Sequence, residues 1–393
     1  MGVSAKLPLD GVRVIDLTRI LSGPFCSMLL GDMGAEVIKI ESRDGDPVRA
    51  QGHHKDGLSW YFAGFNRNKK SVVLDLHTDE GKAALTRLLE GADVLVENYR
   101  PGVLARMGFS QARLEALNPG LVTASINGFG SEGPYTERPA FDFIAQAMSG
   151  FMSVNGPDAA HPMRAAQPIS DLIAGLYSAF GIVSALRGRD RDGLGQHVET
   201  AMVNGALSFM AYLASEHFVT DRNPVQTGND HPLVAPYGLY ETADGQIAIA
   251  PSNEQILQKL LSEIGLPTLM QDPRFDSNDK RFARRAELHD ILDAAMATDS
   301  RDNWIARLNR AGVPAGKVQS LQDVFTDPQI VAQEMAIDVH HEGHGNVRML
   351  GFPVKLSRTP CAARLPAPKL GEHTDAVLSA AGVSPMATGR EIS

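Results

Sequence analysis

Short runs of β-branched and other apolar residues alternate with helix-like segments through the first third of this chain. The predicted strands are VRVIDLT (12–18), EVIKIES (36–42), SVVLDLH (71–77), VLVENY (94–99) and VTASINGFG (122–130), and two of the helices between them are GPFCSMLLGDMG (23–34) and DEGKAALTRLLEGA (79–92). A strand, a helix and a second strand in succession predict parallel strands with helices packed on the sheet. We therefore predict an α/β fold built on a parallel sheet.

Ligands of parallel sheets bind beyond the carboxyl ends of the strands. The loops after Thr18, Glu41, Leu76 and Asn98 are therefore candidates for a binding cleft. The first strand continues into TRILSGPF, which lacks the GxGxxG turn that brings backbone against a dinucleotide pyrophosphate. A nicotinamide-dependent dehydrogenase is thus disfavoured.

Length, charge and cysteine content narrow the class of protein. A chain of 393 residues exceeds the size at which one core usually keeps growing, so two domains are expected. The net charge of -9 includes no Lys/Arg block, which argues against nucleic acid or membrane as a partner. The two cysteines, Cys26 and Cys361, are typical of a reducing compartment. We find neither a secretion-signal pattern nor a bilayer-length apolar run, and we expect a cytoplasmic protein.

The second half of the chain indicates a smaller domain. YETADGQIAIAP (240–251) predicts a hairpin with a D-G turn, and NEQILQKLLSEIG, RRAELHDILDAAMA and DNWIARLNRAG predict amphipathic helices. Before them, TGNDHPLVAPYG (227–238) is rich in turn formers and predicts a linker or an active-site loop. The tract HHEGH (340–344) has no second ligand cluster of recognisable spacing, so we predict no metal site.

One carboxylate, Asp171, precedes an apolar helix-like run in PISDLIAGLYSAFGIVSAL (168–186). This run is apolar nearly all round and is predicted to be buried. An Asp at a helix start commonly caps the first turn, although Ser170 could cap equally well. Alternatively, a carboxylate in a partly dry pocket beside helix N–H groups can attack an activated acyl group such as a thioester. Position alone leaves both roles open.

Several distinctive blocks follow one another in order along nearly the whole chain. They are DLTRILSGPF (16–25), GAEVIKIE (34–41), FNRNKKSVVLDL (65–76), VLVENYRPGVLARMG (94–108), RPAFDFIAQAMSG (138–150), the stretch around Asp171, GLGQHVE (193–199) and LGEHTDAVL (370–378). Together they resemble the family III CoA-transferases, which include formyl-CoA transferase, carnitine CoA-transferase and α-methylacyl-CoA racemase.

The resemblance implies an architecture. A Rossmann-like large domain would be built from both chain ends, a smaller α+β domain would be inserted, and two ring-like subunits would interlock as an obligate homodimer. For this sequence we place the large domain and its linker at 1–224, the small domain at 225–330, and the return to the large domain at 331–393.

The resemblance also implies a site. Asp171 would attack the donor thioester to give an aspartyl mixed anhydride and CoA thiolate, which then forms an aspartyl-CoA thioester. CoA and acyl-CoA enter as substrates, with no tightly bound cofactor. Arg106 would meet a CoA phosphate, which suits the fork of guanidinium donors. The residues placed at the CoA site by resemblance are Leu21, Ser22, Leu74, Asn98, Tyr99, Arg106 and Met107, the last as adjacent packing.

The acyl group is predicted from two further comparisons with the family. The racemases carry a histidine where this chain has Phe141, which cannot exchange a proton; the following Asp142 either lies near the active-site carboxylate or caps a helix. NRNKKS and QAMSGFMSVNG look closer to the branch that handles dicarboxylic acyl groups such as succinyl or hydroxymethylglutaryl. Candidates to meet the second carboxylate are His231, Arg49 and His54.

We therefore predict an acyl-CoA:carboxylate CoA-transferase acting on a dicarboxylic acyl group. The alternatives are an α-methylacyl-CoA racemase or isomerase and a CoA-binding protein without catalysis.

Overall fold

The computed structural model describes residues 6–383, and its strands and helices alternate through the first 130 residues as predicted. The strands are β1 (Arg13–Asp16), β2 (Glu36–Glu41), β3 (His54–Lys55), β4 (Leu58–Ser59), β5 (Lys69–Val73), β6 (Val94–Glu97), β7 (Val122–Asn127), β8 (His197–Ala201), β9 (Gly238–Thr242), β10 (Gly245–Ile249), β11 (Ala315–Lys317), β12 (Ala336–His341) and β13 (Gly345–Leu350). The helices are α1 (Ser22–Asp32), α2 (Trp60–Asn66), α3 (Asp79–Glu90), α4 (Val103–Arg106), α5 (Gln111–Leu117), α6 (Asp142–Met148), α7 (Phe151–Val154), α8 (Ile169–Asp192), α9 (Met202–Ser208), α10 (Ala211–Thr220), α11 (Glu254–Glu263), α12 (Asn278–Ala283), α13 (Arg285–Met296), α14 (Arg301–Ala311), α15 (Leu321–Val324), α16 (Pro328–Ala332) and α17 (Thr374–Ala380).

Six strands form the main sheet in the order β5-β2-β1-β6-β7-β8, and every pairing is parallel. The predicted α/β fold with a parallel sheet is confirmed. Strand β5 begins and ends earlier than predicted, since Asp75 starts a turn. The Asp75 carboxylate accepts the N–H of His77, and its carbonyl accepts the N–H of Thr78, whose side chain caps α3.

Both faces of this sheet are covered, which explains why its strands contain apolar runs rather than an alternating pattern. On one face, Val14 and Val96 pack with Ile182 of α8. On the other, Ile15 packs with Leu85 of α3. Helices α1 and α8 therefore cover one face, and α3, α5 and α17 cover the other.

The described chain divides into two units. The first contains residues up to Ser149, Ala165–Met210, and residues from Pro328 onward. The second contains Gly150–Arg164 and Ala211–Asp327, and its antiparallel sheet has the order β11-β10-β9. The predicted D-G hairpin is confirmed by the pairing of β9 with β10. The domain boundaries that rest on the family resemblance stay predictions.

Helix α8 differs from its prediction in two respects. It begins at Ile169, so Asp171 lies within its first turn, and no side chain caps it. The prediction that the helix is buried all round is wrong for this chain, because Phe180 is 72% exposed and Leu176 is 53% exposed. Among the described residues α8 alone is long and apolar enough to cross a membrane, but half of its most apolar window is buried, and core helices of soluble proteins pass the same test.

The apolar stretch after β8 forms two helices rather than one. Helix α9 ends at Ser208 and α10 begins at Ala211, whose φ of 49° lies in the left-handed region. A helix cannot continue through this conformation. The break coincides with the boundary between the two units at Met210 and Ala211.

A group of six charged side chains, which we call the charge ladder, lies under the turn between β1 and α1. Its members are Asp16, Lys39, Glu41, Asp46, Arg49 and Lys69. The contacts are Lys69 Nζ to Asp16 at 3.2 Å, Lys39 Nζ to Asp46 at 2.9 Å, and a two-pronged pair between Arg49 and Glu41 at 2.7 and 2.8 Å. Three acidic side chains thus pair with three basic ones. Such pairing is required because a buried charge is tolerated only beside a partner of opposite charge.

Burial lowers the pKa of Lys69 to about 8, although Asp16 acts in the opposite direction. The pKa of Asp16 is lowered because the nearby Lys69 and Lys39 charges outweigh the burial that would raise it. Both side chains are fully buried, so either one left alone would be a desolvated charge.

The NRNKKS block joins the first sheet strands to residues near the end of the chain. Arg67 makes two bonds to Asp32 at 2.7 and 2.9 Å and donates to the carbonyl of Leu350. The Asn68 amide donates to Ala362 O at 2.8 Å and accepts the N–H of Arg364 at 2.6 Å. The Arg67 and Asn68 side chains bind other parts of the fold. These structural bonds explain the residue types in the block, which therefore give no information on the acyl group.

We predict that Lys69→Met lowers the free energy of unfolding by about 3–5 kcal/mol, because it leaves part of the Asp16 charge buried without its partner. The matched control is Lys70→Met, since Lys70 is one third exposed in its 2.6 Å pair with Glu36, and should cost below about 1 kcal/mol. Urea denaturation measures both variants. Equal effects at the two neighbouring lysines would contradict the importance of the ladder.

Candidate active site

A cavity lies beyond the carboxyl ends of β1, β6 and β7, where the sequence predicts a cleft. Its volume is about 900 Å³, including the part open to solvent. We call it the strand-end cavity, and its lining is residues 19–22, 98–101, 126–129, 136, 138–141, 171 and 202. Six predicted site residues line it, namely Leu21, Ser22, Asn98, Tyr99, Phe141 and Asp171. Of the four loops proposed for the cleft, those after Thr18 and Asn98 contribute to its wall.

Asp171 lies where the first turns of α1 and α8 approach one another. The hydroxyl of Ser22, the first residue of α1, lies close enough to the Asp171 carboxylate to favour its ionised form. Gly175 makes this approach possible, because a Cβ there would lie 2.5 Å from the carbonyl oxygen of Ser22. The spacing of four residues places Asp171 and Gly175 on the same face of α8.

The surroundings of Asp171 make its carboxyl group hard to ionise. Burial, followed by the negative charge of Asp142, raises the pKa of Asp171 to about 7, and the Ser22 hydroxyl opposes the shift. Tyr61 of α2 lies close enough that, after burial, the Asp171 charge helps to raise the pKa of Tyr61 to about 12. A carboxylate near half ionisation at neutral pH is suited to chemistry.

Asp142 holds the residue next to Asp171 in place. Its Oδ1 accepts the backbone N–H of Ser170 at 2.9 Å and the Ser170 hydroxyl at 2.6 Å, while Oδ2 accepts Gln146 Nε2 at 2.7 Å. Asp142 begins α6, yet the helix N-terminus that its carboxylate satisfies is that of α8. Both of its oxygens are therefore used in positioning.

The Asn98 side chain joins the two loops that frame the cavity. Its Oδ1 accepts the N–H of Arg19 at 2.9 Å, and its Nδ2 donates to the Arg19 carbonyl at 2.8 Å. The next residue, Tyr99, donates its N–H to Glu97 at 2.6 Å. Burial, with a smaller effect from the charge of Glu199, raises the pKa of Glu97 to about 7. The hydrogen bond from the Tyr99 N–H acts in the opposite direction and lowers this pKa.

The other predicted CoA residues do not line the strand-end cavity. Leu74 is buried in the sheet face covered by α3, and Met107 packs against that face while remaining partly exposed. Arg106 is exposed in the last turn of α4. Their contacts with CoA stay predictions.

The three residues proposed for a second carboxylate lie outside the cavity lining. Arg49 is bonded to Glu41 and lies 3.7 Å from the ring of Phe62. His54 is exposed, and its ring nitrogens lie 2.9 and 3.1 Å from the carbonyl oxygens of Arg49 and Gly52. His231 belongs to the second unit.

Within that unit, the ring of His231 stacks on Tyr212 at 5.9 Å. Its Nδ1 accepts the N–H of Leu233 at 3.0 Å. These contacts hold the His231 ring within the second unit.

Three arginines in the cavity lining were missed by sequence reasoning. They are Arg19, Arg100 and Arg138. None of them forms an ion pair with a carboxylate among residues 6–383. Arg19 and Arg138 begin or lie in blocks that carry the family resemblance, but in a sequence an unpaired arginine cannot be told from a paired one. Within the same residues no group of three or more His, Cys, Asp or Glu could hold a metal ion.

Comparison with known proteins gives consistent matches over nearly the full chain. The sequence model of CoA-transferase family III matches residues 9–374. A succinate–glutarate CoA-transferase from Agrobacterium fabrum is 36% identical over 95% of this chain and 96% of its own length. A succinyl-CoA–D-citramalate CoA-transferase from Chloroflexus aurantiacus is 38% identical over 93% of this chain and 92% of its own length. The crystal structure of a CAIB/BAIF family protein from Brucella suis is 37% identical, with a TM-score of 0.85 over 96% of this chain and all of that one.

We predict that Asp171 titrates near pH 7 and that Asp142→Asn lowers its pKa, because the variant removes a neighbouring like charge while keeping an oxygen for Ser170. The carboxylate should thus protonate as pH falls through 7 in the parent and at a lower pH in the variant. Carbon-13 NMR of aspartate-labelled protein measures this, with Asp171→Asn identifying the signal. A parent pKa in the ordinary aspartate range would contradict the burial argument.

Proposed function

Because this chain belongs to CoA-transferase family III, we propose that it transfers CoA between dicarboxylic acids with Asp171 as the covalent nucleophile. The observation that carries the assignment is the position of Asp171. It is a partly buried carboxylate with a pKa raised to about 7, it lines a cavity large enough to admit an acyl thioester, and it lies near a hydroxyl at the start of a second helix.

The reaction begins when an Asp171 oxygen attacks the thioester carbonyl carbon. The C–S bond breaks and CoA leaves as the thiolate, so the donor acyl group remains on Asp171 as a mixed anhydride. The thiolate then attacks the aspartyl carbonyl of that anhydride. The donor acid departs as a carboxylate, and CoA is held on Asp171 as a thioester.

The acceptor acid reverses these two steps. Its carboxylate attacks the aspartyl-CoA thioester and releases the thiolate, which forms a second mixed anhydride. The thiolate attacks the acceptor acyl carbon of this anhydride, giving the new acyl-CoA and the free Asp171 carboxylate. The overall reaction exchanges one thioester for another of similar energy, and exclusion of water protects the intermediate anhydrides from hydrolysis.

The first turn of α1 supplies donors for the oxyanions that form in these steps. The N–H groups of Ser22 and Gly23 precede the first intrahelical bond, which runs from Phe25 N to Leu21 O, so they have no partner within α1. Helix N-termini favour negative charge. We assign the developing oxyanion to these N–H groups, close to the Ser22 hydroxyl that lies near Asp171.

The dicarboxylic substrate class rests on the activities for which the similar proteins are named, which involve succinate, glutarate and citramalate. The cavity adds support, because unpaired arginines line its wall. Racemisation lacks comparable support: Phe141 lines the cavity without an exchangeable proton, and both Asp142 oxygens are engaged.

We further propose that the enzyme works as a homodimer. The exposed side of α8 presents Leu176, Tyr177, Phe180 and Val183, and the ring of Phe209 lies 6.1 Å from that of Tyr177. We call these five residues the α8 patch. Contiguous apolar surface of this kind usually marks an interface. A second copy of the chain is the occupant that the family resemblance implies, with the two subunits interlocked.

We predict that Asp171→Asn lowers CoA transfer by at least about 10³-fold, since the amide oxygen is a poor nucleophile. Asp190→Asn, near the other end of the same helix, should retain normal transfer because Asp190 is exposed. Chromatography of acyl-CoA donors with dicarboxylic acceptors measures the rates. Mass spectrometry should find the acyl or CoA adduct on Asp171 in the parent and none in D171N.

Near-normal transfer by D171N would contradict the nucleophile assignment. Parent protein that binds CoA but forms no adduct would indicate a CoA-binding protein without catalysis. Incorporation of deuterium at the α-carbon without an acceptor acid would indicate a racemase or isomerase.

We predict that light scattering gives the parent twice the 42.3 kDa chain mass and that Phe180→Asp shifts the protein toward the monomer, because a buried, unpaired charge in the α8 patch opposes association. Leu194→Asp, at an exposed leucine just beyond α8, is the matched control and should stay dimeric. Circular dichroism checks that the variants remain folded. A monomeric parent at micromolar concentration would contradict the dimer.

A further inference from the structure

The strand-end cavity holds one arginine that its neighbours place near the acyl group rather than near CoA. Resting on the proposed function, we propose that Arg138 binds the distal carboxylate of the dicarboxylic acyl group and so determines the preference for dicarboxylic over monocarboxylic substrates. This role is supported by the position of Arg138 along the chain, by the ring that orients its guanidinium, and by the lack of a competing carboxylate among residues 6–383.

Arg138 lies on the segment that leads to α6, whose first residue is Asp142. Asp142 is four positions after Arg138, so the two Cα atoms lie within about 14 Å even if the segment is extended. Asp142 in turn bonds both the N–H and the hydroxyl of Ser170, the residue next to Asp171. Between them, Phe141 lines the same cavity wall as Arg138. An arginine side chain and a four- or five-carbon diacid together bridge a gap of this order.

The guanidinium of Arg138 is held in place by an aromatic ring. It lies 3.6 Å from the ring centroid of Tyr135, and Tyr135 is itself packed edge-on against Phe129 at 5.7 Å. The backbone N–H of Arg138 bonds the Tyr135 carbonyl at 2.9 Å, and Pro139 restricts the conformations open to Arg138. A guanidinium stacked on a ring keeps its N–H edge available for two parallel bonds to a carboxylate.

The N–H edge of the Arg138 guanidinium is not used in an ion pair within the described part of the chain. No carboxylate among residues 6–383 forms an ion pair with Arg138. Arg138 is exposed at the cavity lining beside Ala140 and Phe141, so its charge is available to an anion from a ligand. The earlier candidates differ, because Arg49 is already bonded to Glu41 and His231 lies in the second unit.

The other two cavity arginines lie in the loops that follow β1 and β6. The Arg19 guanidinium lies 5.8 Å from the ring of Tyr99, and Arg100 follows Tyr99 directly. Asn98 and Tyr99 are the residues that the family resemblance assigns to CoA. We therefore assign the anionic groups of CoA to the wall of Arg19 and Arg100, and the acyl carboxylate to that of Arg138.

The test compares two acceptors of the same shape, glutarate and its monomethyl ester, which lacks the distal charge. With one acyl-CoA donor held at saturation, Arg138→Gln should lower the ratio of kcat/KM for glutarate to that for the ester by about 10- to 100-fold. Because any effect on the donor cancels in this ratio, it reports the distal carboxylate alone. Arg138→Lys keeps the charge but loses the fork, so its ratio should lie between those of the parent and R138Q.

Binding of free CoA, measured by calorimetry, separates the carboxylate role from a phosphate role. R138Q should bind CoA as the parent does, and the matched control Arg191→Gln, at an exposed arginine in the last turn of α8, should change neither quantity. An unchanged acceptor ratio in R138Q would overturn the inference. So would weaker CoA binding with both acceptors slowed equally, which would assign Arg138 to a CoA phosphate.

Failure of the proposed function has a different signature. In that case the parent itself transfers CoA to neither acceptor, whereas the inference on Arg138 fails only through the behaviour of R138Q relative to an active parent.

Discussion

The charge ladder under the first turn is the constraint on which the site depends. Buried charges are tolerated only when each finds a partner, and here three acids and three bases do so across β1, β2 and β5. The same groups bind the turn between β1 and α1. Lys39 donates to Thr18 O at 2.7 Å, Asp46 accepts the N–H of Ile20 at 3.1 Å, and Asp16 accepts that of Thr18 at 2.8 Å. These bonds therefore hold in place the loop that carries Leu21 and Ser22 to the cavity.

Two opposing effects meet at Asp171. Burial and Asp142 disfavour the carboxylate, whereas the Ser22 hydroxyl and the N-termini of two helices favour it. A carboxylate that the protein stabilises strongly would be a poor nucleophile. A carboxyl group that stays protonated would not act as a nucleophile at all. A carboxyl group balanced near neutrality remains reactive, and the Asp142 bonds to Ser170 supply geometry and charge through one side chain.

The sequence predicted the parts of the fold that local pattern controls. Alternating strand and helix signals were sufficient for the parallel sheet, the position of the cleft and the presence of Asp171 in it, the last through the family resemblance. Features that depend on distant partners were missed. Phe180 is exposed, although its residue type is typical of a core. The ion pair between Arg67 and Asp32 joins residues far apart in sequence and can be recognised only in the folded structure. Whether Arg138 is free to bind a ligand depends on which carboxylates the fold brings near it.

The bonds from Asn68 to the far end of the chain bear on how the protein is made. Asn68 Oδ1 and Arg364 N are separated by 296 residues, yet they join the β5 edge of the sheet to its covering segment. At a synthesis rate of about 5–20 residues per second, the ribosome takes roughly 15–60 s to deliver that segment. During this time the nascent β5 edge has no native cover. Its two adjacent lysines, Lys69 and Lys70, carry charge on this edge, and charged side chains on an edge strand oppose pairing with foreign strands.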